Sequence, residues 1–186
     1  EFLSRLFSIS ATAYINKVDN LIASRQVAHT ETDIANSITK RMEYRNVDKA
    51  RVKGVDISIN SYLGYGVSLG GSYSYADAKD TNTDSRLPRS IKHSGSINSN
   101  WNKVWDFYTL NVNLAGRLQS ERFETGTYGN APGYQLWNLS TRHTFNNLTN
   151  FILESGIGIE NIFNYRDDRP YNSNYATLSP GRTFYV

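Results

Sequence analysis

Side chains that could perform nucleophilic or acid–base chemistry are few in this sequence, and their spacing does not suit that chemistry. Ser140 and His143 are a Ser/His pair on one predicted strand, but residues three apart in a strand point to opposite faces and cannot share a proton. The carboxylates of Asp77 and Asp80 have no neighbouring base of suitable geometry. No Gly-rich phosphate loop stands between a strand and a helix. We therefore expect no catalytic residue and no enzyme activity.

His29 is the residue whose type and position best suggest a ligand for a metal-bearing molecule. Imidazole is a common axial ligand of haem iron, and His29 lies in a long polar segment beside residues 30–33, Thr-Glu-Thr-Asp. A single His in such a segment is more often an exposed side chain without a ligand. We expect no resident metal or cofactor, and haem is retained only as one candidate substrate.

Composition narrows the classes of protein to which the chain could belong. Its 186 residues suffice for one domain, and 39% of them are apolar. Cysteine is absent, which excludes disulfide scaffolds and thiolate metal sites. The formal net charge is +3 and the cations are spread along the chain, so we expect no nucleic-acid partner. No run reaches the ~18 apolar residues of a membrane-spanning helix, so any crossing of a bilayer must use strands.

Apolar and polar side chains alternate along about eight segments, which predicts an all-β protein with antiparallel strands. In the first segment Phe7, Ile9 and Ala11 share one face, while Ser8 and Ser10 share the other. The later segments repeat this pattern, and Asp56, Arg117, Glu154 and Glu160 fall on their polar faces. A soluble β-sandwich would alternate in the same way, so the pattern alone does not choose between a sandwich and a membrane barrel.

Links of very different length alternate between these segments. Polar, Tyr- and Asn-rich stretches occupy residues 16–43, 79–90, 121–133 and 166–181, and short links occupy residues 61–66, 100–105 and 146–150. Barrels of the bacterial outer membrane have this asymmetry, with short periplasmic turns and longer extracellular loops. Aromatic residues near the short links would form an interfacial belt in the lipid; they are Tyr62, Tyr65, Trp101, Trp105, Phe107, Phe145 and Phe151. The sequence therefore favours an antiparallel transmembrane β-barrel with extracellular long loops.

Several stretches resemble the β-barrel of TonB-dependent outer-membrane receptors. Residues 44–56 (YRNVDKARVKGVD) resemble the strand in which that family has an aromatic residue, Asn, Ala and then Gly-Val-Asp/Glu. Residues 156–164 (GIGIENIFN) resemble the family's penultimate strand, and residues 180–185 (PGRTFY) resemble the start of its last strand. Residues 87–93 (LPRSIKH) fall where the family has a loop exit with a second Pro, which is missing here. The matches stand in the family's order and extend over nearly the whole chain.

The resemblance implies a larger protein and a function. Such receptors are roughly 22-stranded barrels with a plugged lumen, so residues 1–186 would be the carboxyl-terminal portion of the barrel, about eight strands. The plug domain and the segment that engages TonB would lie upstream, outside this sequence. The implied function is TonB-energised uptake of a large, scarce nutrient such as haem, cobalamin or a ferric siderophore. The implied partners are outer-membrane lipid, TonB and the nutrient, and a surface lipoprotein is a further candidate.

Capture of such a nutrient would fall to the long loops, which need aromatic rings for contact area and Arg or Asn side chains as directed donors. Each residue taken alone is more often an ordinary solvated loop residue. The candidate substrate-binding residues are Arg25, His29, Arg86, Arg122, Tyr128, Asn130, Tyr134, Arg169, Tyr171, Asn174 and Tyr175.

The alternative reading is a complete small barrel of eight strands that serves as an adhesin or a structural outer-membrane protein. In such a barrel the first and last strands must pair. The chain begins at Glu1 without a secretory signal, and residues 182–186 supply about half of a membrane strand. These features lead us to expect a fragment of a larger barrel rather than a complete small one.

Overall fold

The computed structural model describes residues 2–3, 6–28, 30–36, 41–124, 129–148, 151–166 and 181–186. The strands are β1 (Phe2–Leu3), β2 (Phe7–Gln26), β3 (Met42–Gly64), β4 (Val67–Asp80), β5 (His93–Val104), β6 (Tyr108–Gln119), β7 (Tyr134–Leu148), β8 (Phe151–Glu160) and β9 (Thr183–Tyr185), and one short helix, α1, spans Glu31–Ala35. All neighbouring strands are antiparallel and follow one another in sequence order in a single sheet. The predicted all-β architecture is confirmed: the eight predicted strands are β2 to β9, and β1 is additional.

The described strands form an open sheet. β1 and β9 lie at its opposite edges, and in the part of the chain that the structure describes neither pairs with the other. A small barrel closed by pairing of its first and last strands therefore finds no support in these strands. Of the described helices, none is long and apolar enough to cross a membrane.

The sheet has two chemically different faces and almost no interior. The register places Ile57, Tyr73 and Gly95 side by side on an apolar face, and one residue along each strand it places Asp56 and Ser74 on a polar face. Among the described residues, Ala50 and Ala131 are the only buried apolar side chains. A strand that alternates in this way buries its apolar side only against another layer or against lipid. The apolar face thus needs an environment that the described residues do not supply.

Two of the three short links are tight turns, as predicted. β3 and β4 are joined through Tyr65 and Gly66, whose φ angles are 52° and 83°. Two consecutive positive φ angles are the signature of a type I′ hairpin turn, which matches the twist of the flanking strands. The link predicted at residues 100–105 is displaced, because β5 continues to Val104 and the connection is residues 105–107. In the link predicted at residues 146–150, β7 continues to Leu148 and residues 149–150 lie outside the described residues.

Three large rings lie over glycines of the neighbouring strand. Tyr14 lies opposite Gly54, Trp137 opposite Gly116 and Tyr185 opposite Gly158. A Cβ atom built on any of the three glycines would collide with the ring opposite. These cross-strand pairs fix the register, because a slip by one residue would set each ring against a side chain.

The prediction of a loop at residues 16–43 is wrong at both ends, because residues 16–26 belong to β2 and residues 42–43 to β3. β2 extends to Gln26 and β3 begins at Met42, and the two strands pair without interruption of their register out to Gln26 and Met42. The polar composition resembles that of a loop, but cross-strand backbone hydrogen bonds form irrespective of side-chain polarity when two long segments face each other. The actual connection is residues 27–41, which includes α1.

Candidate functional site

The candidate site lies at the edge of the sheet where residues 81–92, 120–133 and 161–166 leave the strands, and we call it the long-link edge. The ladder of the sheet continues into these links through isolated bridges that join Ile91 to Arg122 and Arg122 to Ala131. The amide of Arg122 donates to the carbonyl of Ala131, and the amide of Ala131 donates back, each at 2.9 Å. The links are therefore held to the sheet and present fixed side chains.

Arg86 is held by contacts within the long-link edge. Its Nε donates to Ser90 Oγ at 3.1 Å and its NH2 donates to the Ser90 carbonyl at 3.0 Å. Its NH1 lies 3.6 Å from Glu121 Oε1, and its guanidinium carbon lies 5.4 Å from the centre of the Phe123 ring. The Arg86 side chain is only 17% exposed. The cation–π contact with Phe123 and two hydrogen bonds orient the guanidinium as a pre-organised donor group.

Arg122 is neutralised by a carboxylate on its own link. Its Nε lies 2.7 Å from Glu124 Oε1, and the Glu124 side chain is 9% exposed. The amide of Glu124 donates to Asn130 Oδ1 at 3.1 Å. Arg122 and Asn130 thus brace the two ends of the link that contains residues 125–128, which lie outside the described residues. Arg122 is paired with its carboxylate at a shorter distance than Arg86, whose NH1 lies 3.6 Å from Glu121 Oε1, so Arg122 is the weaker anchor for an anionic ligand.

Tyr134 opens β7 on the polar face. Its hydroxyl donates to Gln119 Oε1 at 3.2 Å, and its ring centre lies 5.5 Å from that of Tyr165. The register pairs Tyr134 with Gln119, the last residue of β6, after which the chain leads to Arg122. A pair of rings beside amide and guanidinium groups is the amphipathic surface that recognition of a large nutrient requires.

The turn after β8 is the part of this edge whose role the sequence did not reveal. Asn161 is 5% exposed, and its φ angle is 53°. Its Nδ2 donates to the Tyr165 carbonyl and its Oδ1 accepts from the Tyr165 amide, each at 2.8 Å, while its own amide donates to Asn138 Oδ1 at 2.9 Å. Asn164 Oδ1 accepts from the Arg182 amide at 2.9 Å. The two motifs noticed in the sequence, at residues 156–164 and 180–185, are therefore in direct contact.

The other candidate residues are not brought together by the described structure. His29, Tyr128, Arg169, Tyr171, Asn174 and Tyr175 lie outside the described residues. For Arg25 only the backbone is described, where it pairs with Glu43 in the extended hairpin of β2 and β3. Arg86, Arg122, Asn130 and Tyr134 are the predicted binding residues that the structure places, and all four lie at the long-link edge.

The possible catalytic pair is separated by the sheet. The register places His143 opposite Leu110 on the apolar face and Ser140 opposite Asn113 on the polar face. The His143 ring is held by hydrogen bonds of Nδ1 with the Tyr108 hydroxyl at 2.6 Å and of Nε2 with Thr141 Oγ1 at 3.0 Å. These contacts pack His143 against the aromatic residues near the short links and leave Ser140 on the opposite side of the sheet.

Comparison with known proteins identifies relatives of this architecture. A family model described as TonB dependent receptor-like, beta-barrel matches residues 1–162. The ferric preacinetobactin receptor BauA of Acinetobacter baumannii is 17% identical, with a TM-score of 0.68, and the alignment covers 96% of this chain and 26% of that one. The copper transporter OprC is 16% identical, with a TM-score of 0.72 and coverage of 98% and 29%. The ferric enterobactin receptor of Pseudomonas aeruginosa is 19% identical, with a TM-score of 0.61 and coverage of 89% and 24%. The chain thus spans about a quarter of the length of these solved structures, and they show that it shares their fold.

Proposed function

Because this chain belongs to the TonB-dependent receptor β-barrel family, we propose that it forms part of the wall of an outer-membrane transporter for a large, scarce nutrient. The observation that carries the proposal is the two-faced sheet, whose described residues bury very few apolar side chains: one face is apolar and suits lipid, and the other carries charged and amide groups and suits a filled lumen. The family's barrels lie in the bacterial outer membrane, and its members are transporters rather than enzymes.

In this proposal residues 1–186 are the carboxyl-terminal portion of a barrel of roughly 22 strands. The plug and the segment that contacts TonB belong to the part of the protein upstream of this sequence. Energy from TonB remodels the plug, and the wall described here performs no covalent step. A surface lipoprotein is proposed as an additional partner at the extracellular side, on the family resemblance alone.

The long-link edge is proposed as part of the nutrient-capture surface. Arg86 supplies an oriented donor group, and the neighbouring rings of Tyr134 and Tyr165 supply ring surface. Ferric siderophores, haem and cobalamin are large molecules with both aromatic or apolar and polar parts, and they match a surface of this kind better than a cluster of one charge would. We propose a metal-bearing macrocycle or siderophore as the substrate class.

The proposed orientation is testable with epitope tags in the full-length receptor. Tags inserted between Tyr65 and Gly66, or within residues 105–107, should be invisible to antibody on intact cells, because these turns are periplasmic in our proposal. Tags inserted within residues 81–83 or 27–28 should be detected on the same cells. All tags should become visible after the outer membrane is permeabilised. Surface labelling at residues 105–107 would reverse the orientation and remove the capture role of the long-link edge.

Nutrient capture is testable with combined substitution of Tyr128, Tyr134, Tyr171 and Tyr175 by Ala in the full-length receptor. A few aromatic anchors usually dominate an interface, so we expect binding to weaken by about 2–4 kcal/mol. Titration calorimetry with haemin, cyanocobalamin and a ferric catecholate siderophore measures the change for whichever probe the unmodified receptor binds. Single substitutions should have small effects.

Two further variants help to interpret the affinity of the four-Tyr variant. Replacing Tyr62 and Tyr65 by Ala removes tyrosines at the opposite edge and should leave nutrient affinity unchanged. His29→Ala discriminates among substrates: if haemin binds with His29 as axial ligand, the absorption spectrum of the complex changes, and the affinity for cyanocobalamin does not. A correctly folded four-Tyr variant with unaltered affinity would show that capture depends on loops outside this chain.

A further inference from the structure

Arg86 and Glu121 form an ion pair that joins two links of the long-link edge. Arg86 lies in the link of residues 81–92, and Glu121 lies in the link of residues 120–133. Arg86 NH1 and Glu121 Oε1 are 3.6 Å apart, beyond the range of about 2.7–3.2 Å that is usual for an N–H···O hydrogen bond. On the same edge Arg122 Nε and Glu124 Oε1 are 2.7 Å apart. The pair of Arg86 and Glu121 is therefore held by charge alone, without a hydrogen bond.

The backbones that carry these two charges are fixed by the sheet. Arg86 forms an isolated bridge with Lys79, near the end of β4. The amide of Ser120 donates to the carbonyl of His93 at 2.8 Å, and Glu121 follows Ser120 directly in the chain. The two links therefore hold their positions without the ion pair, which leaves the pair available for recognition.

One edge of the Arg86 guanidinium remains open to a ligand. Its Nε and NH2 already donate to Ser90, and the ring of Phe123 lies beside the guanidinium carbon. Within the part of the chain that the structure describes, NH1 has the distant carboxylate of Glu121 as its partner and donates no hydrogen bond. A hydrogen bond from NH1 to an anionic oxygen would be shorter and stronger than this contact.

The two side chains of the pair differ in their exposure to water. The Arg86 side chain is 17% exposed and the Glu121 side chain is 56% exposed. A carboxylate this exposed gains little from its ion pair and loses little when water replaces it. Arg86 is held in place by Ser90 and Phe123, and a largely buried charge is costly without a counter-charge. Glu121 is therefore the member of the pair that a ligand displaces.

We propose that Glu121 is an internal competitor for Arg86 and makes the capture surface selective for nutrients that carry an anionic oxygen. Without nutrient, Glu121 neutralises Arg86 from a distance. An anionic oxygen that approaches NH1 replaces Glu121, which turns to water. A neutral ligand that displaced Glu121 would leave Arg86 without a counter-charge, so it gains nothing at this position. The inference rests on the proposed function, which places the nutrient at the long-link edge, and adds the charge of the nutrient and the residue that selects it.

The test uses the full-length receptor in a neutral detergent, with a ferric catecholate siderophore as the anionic probe. Binding is followed by quenching of tryptophan fluorescence. Glu121→Gln should bind the probe about 3- to 5-fold more tightly, because an exposed ion pair of this kind no longer has to be broken. Arg86→Gln should bind it at least about 10-fold more weakly. A purely structural ion pair predicts unchanged or weaker binding by Glu121→Gln, and either result would overturn the proposal.

A double variant separates local competition from a general effect of charge. Arg86→Gln combined with Glu121→Gln should bind the siderophore like Arg86→Gln alone, because the competitor then has no cation to occupy. The same gain in both backgrounds would show a long-range effect and contradict the proposal. Glu154→Gln removes a carboxylate of β8 near the short links and should leave the affinity unchanged. Equal urea midpoints of unfolding for Glu121→Gln and the unmodified receptor should confirm that the variant is folded.

A neutral probe and an uptake measurement distinguish this inference from the proposed function. Glu121→Gln should not change the affinity for cyanocobalamin, which has no net charge, and a gain as large as that for the siderophore would overturn the selectivity. If cells take up cyanocobalamin but the receptor does not bind the siderophore, the proposed function stands and the selectivity for anions fails. If the receptor binds the siderophore and responds to Glu121→Gln, but cells take up no nutrient, the selectivity stands and the proposed function fails.

Discussion

Leu114→Arg is expected to lower the free energy of unfolding of the full-length receptor in a lipid bilayer by about 2–4 kcal/mol, because it places a charge on the lipid side near mid-membrane. Leu114 lies near the middle of β6, opposite Ser99 and Leu139, and is 37% exposed on the apolar face. Urea-induced unfolding in phospholipid vesicles, followed by tryptophan fluorescence, measures the change.

Two further variants on the same strand serve as controls. Asn113→Arg lies one residue away on the polar face, opposite Asn100 and Ser140, and should cost much less. Leu110→Arg lies on the apolar face but near the short links, opposite Lys103, where a long cation reaches the interface and the cost falls to about 0–1 kcal/mol. If Asn113→Arg proves the most damaging of the three, the apolar face is a protein core rather than a lipid surface.

Asn161→Ala is expected to destabilise the receptor by about 3 kcal/mol, because it removes two hydrogen bonds at a buried turn and puts a Cβ-bearing apolar residue in the left-handed region. The side chain of Asn161 is what ties Tyr165 back to the end of β8. The same vesicle unfolding measurement reports the loss.

A glycine at the same position separates the two causes. Asn161→Gly loses the same hydrogen bonds but accepts the φ angle of 53° without strain, so it should be more stable than the Ala variant by about 1 kcal/mol. Asn138→Ala tests the third contact, since it leaves the buried amide of Asn161 without its acceptor. Wild-type stability in Asn161→Ala would show that this turn does not contribute to holding the wall together.

Much of the fold could be predicted from the sequence because a strand of a two-faced sheet carries its pattern locally. The alternation of Phe7, Ile9 and Ala11 with serines identifies β2 and its faces without knowledge of its neighbours. The extension of β2 and β3 beyond residues 16 and 43 could not be read in this way. There the strands are stabilised by each other's backbone, and side-chain polarity carries no signal of that pairing.

The candidate site, like the fold, could be predicted from the sequence only in part. Arg86 and Tyr134 could be selected from residue type and position near a link, but their partners could not. Glu121 is far from Arg86 in the sequence and approaches it only through the ladder that joins residues 91, 122 and 131. The role of Asn161 could not be predicted for a related reason. The resemblance of residues 156–164 to a family motif indicates that an Asn is common at this position. It does not identify the amide and the carbonyl that the side chain binds.

The scarcity of buried apolar side chains among the described residues has a consequence for the export of the newly made chain. Nearly every apolar side chain in the strands is followed by a polar one, and the mean hydropathy is −0.53. A segment of this kind never presents the ~20 consecutive apolar residues that an insertion machinery would retain in the inner membrane. The hydrophobic surface exists only once the strands are extended and paired. The alternation that forms the barrel wall thus also prevents retention of the unfolded chain in the inner membrane, before it reaches the membrane in which it folds.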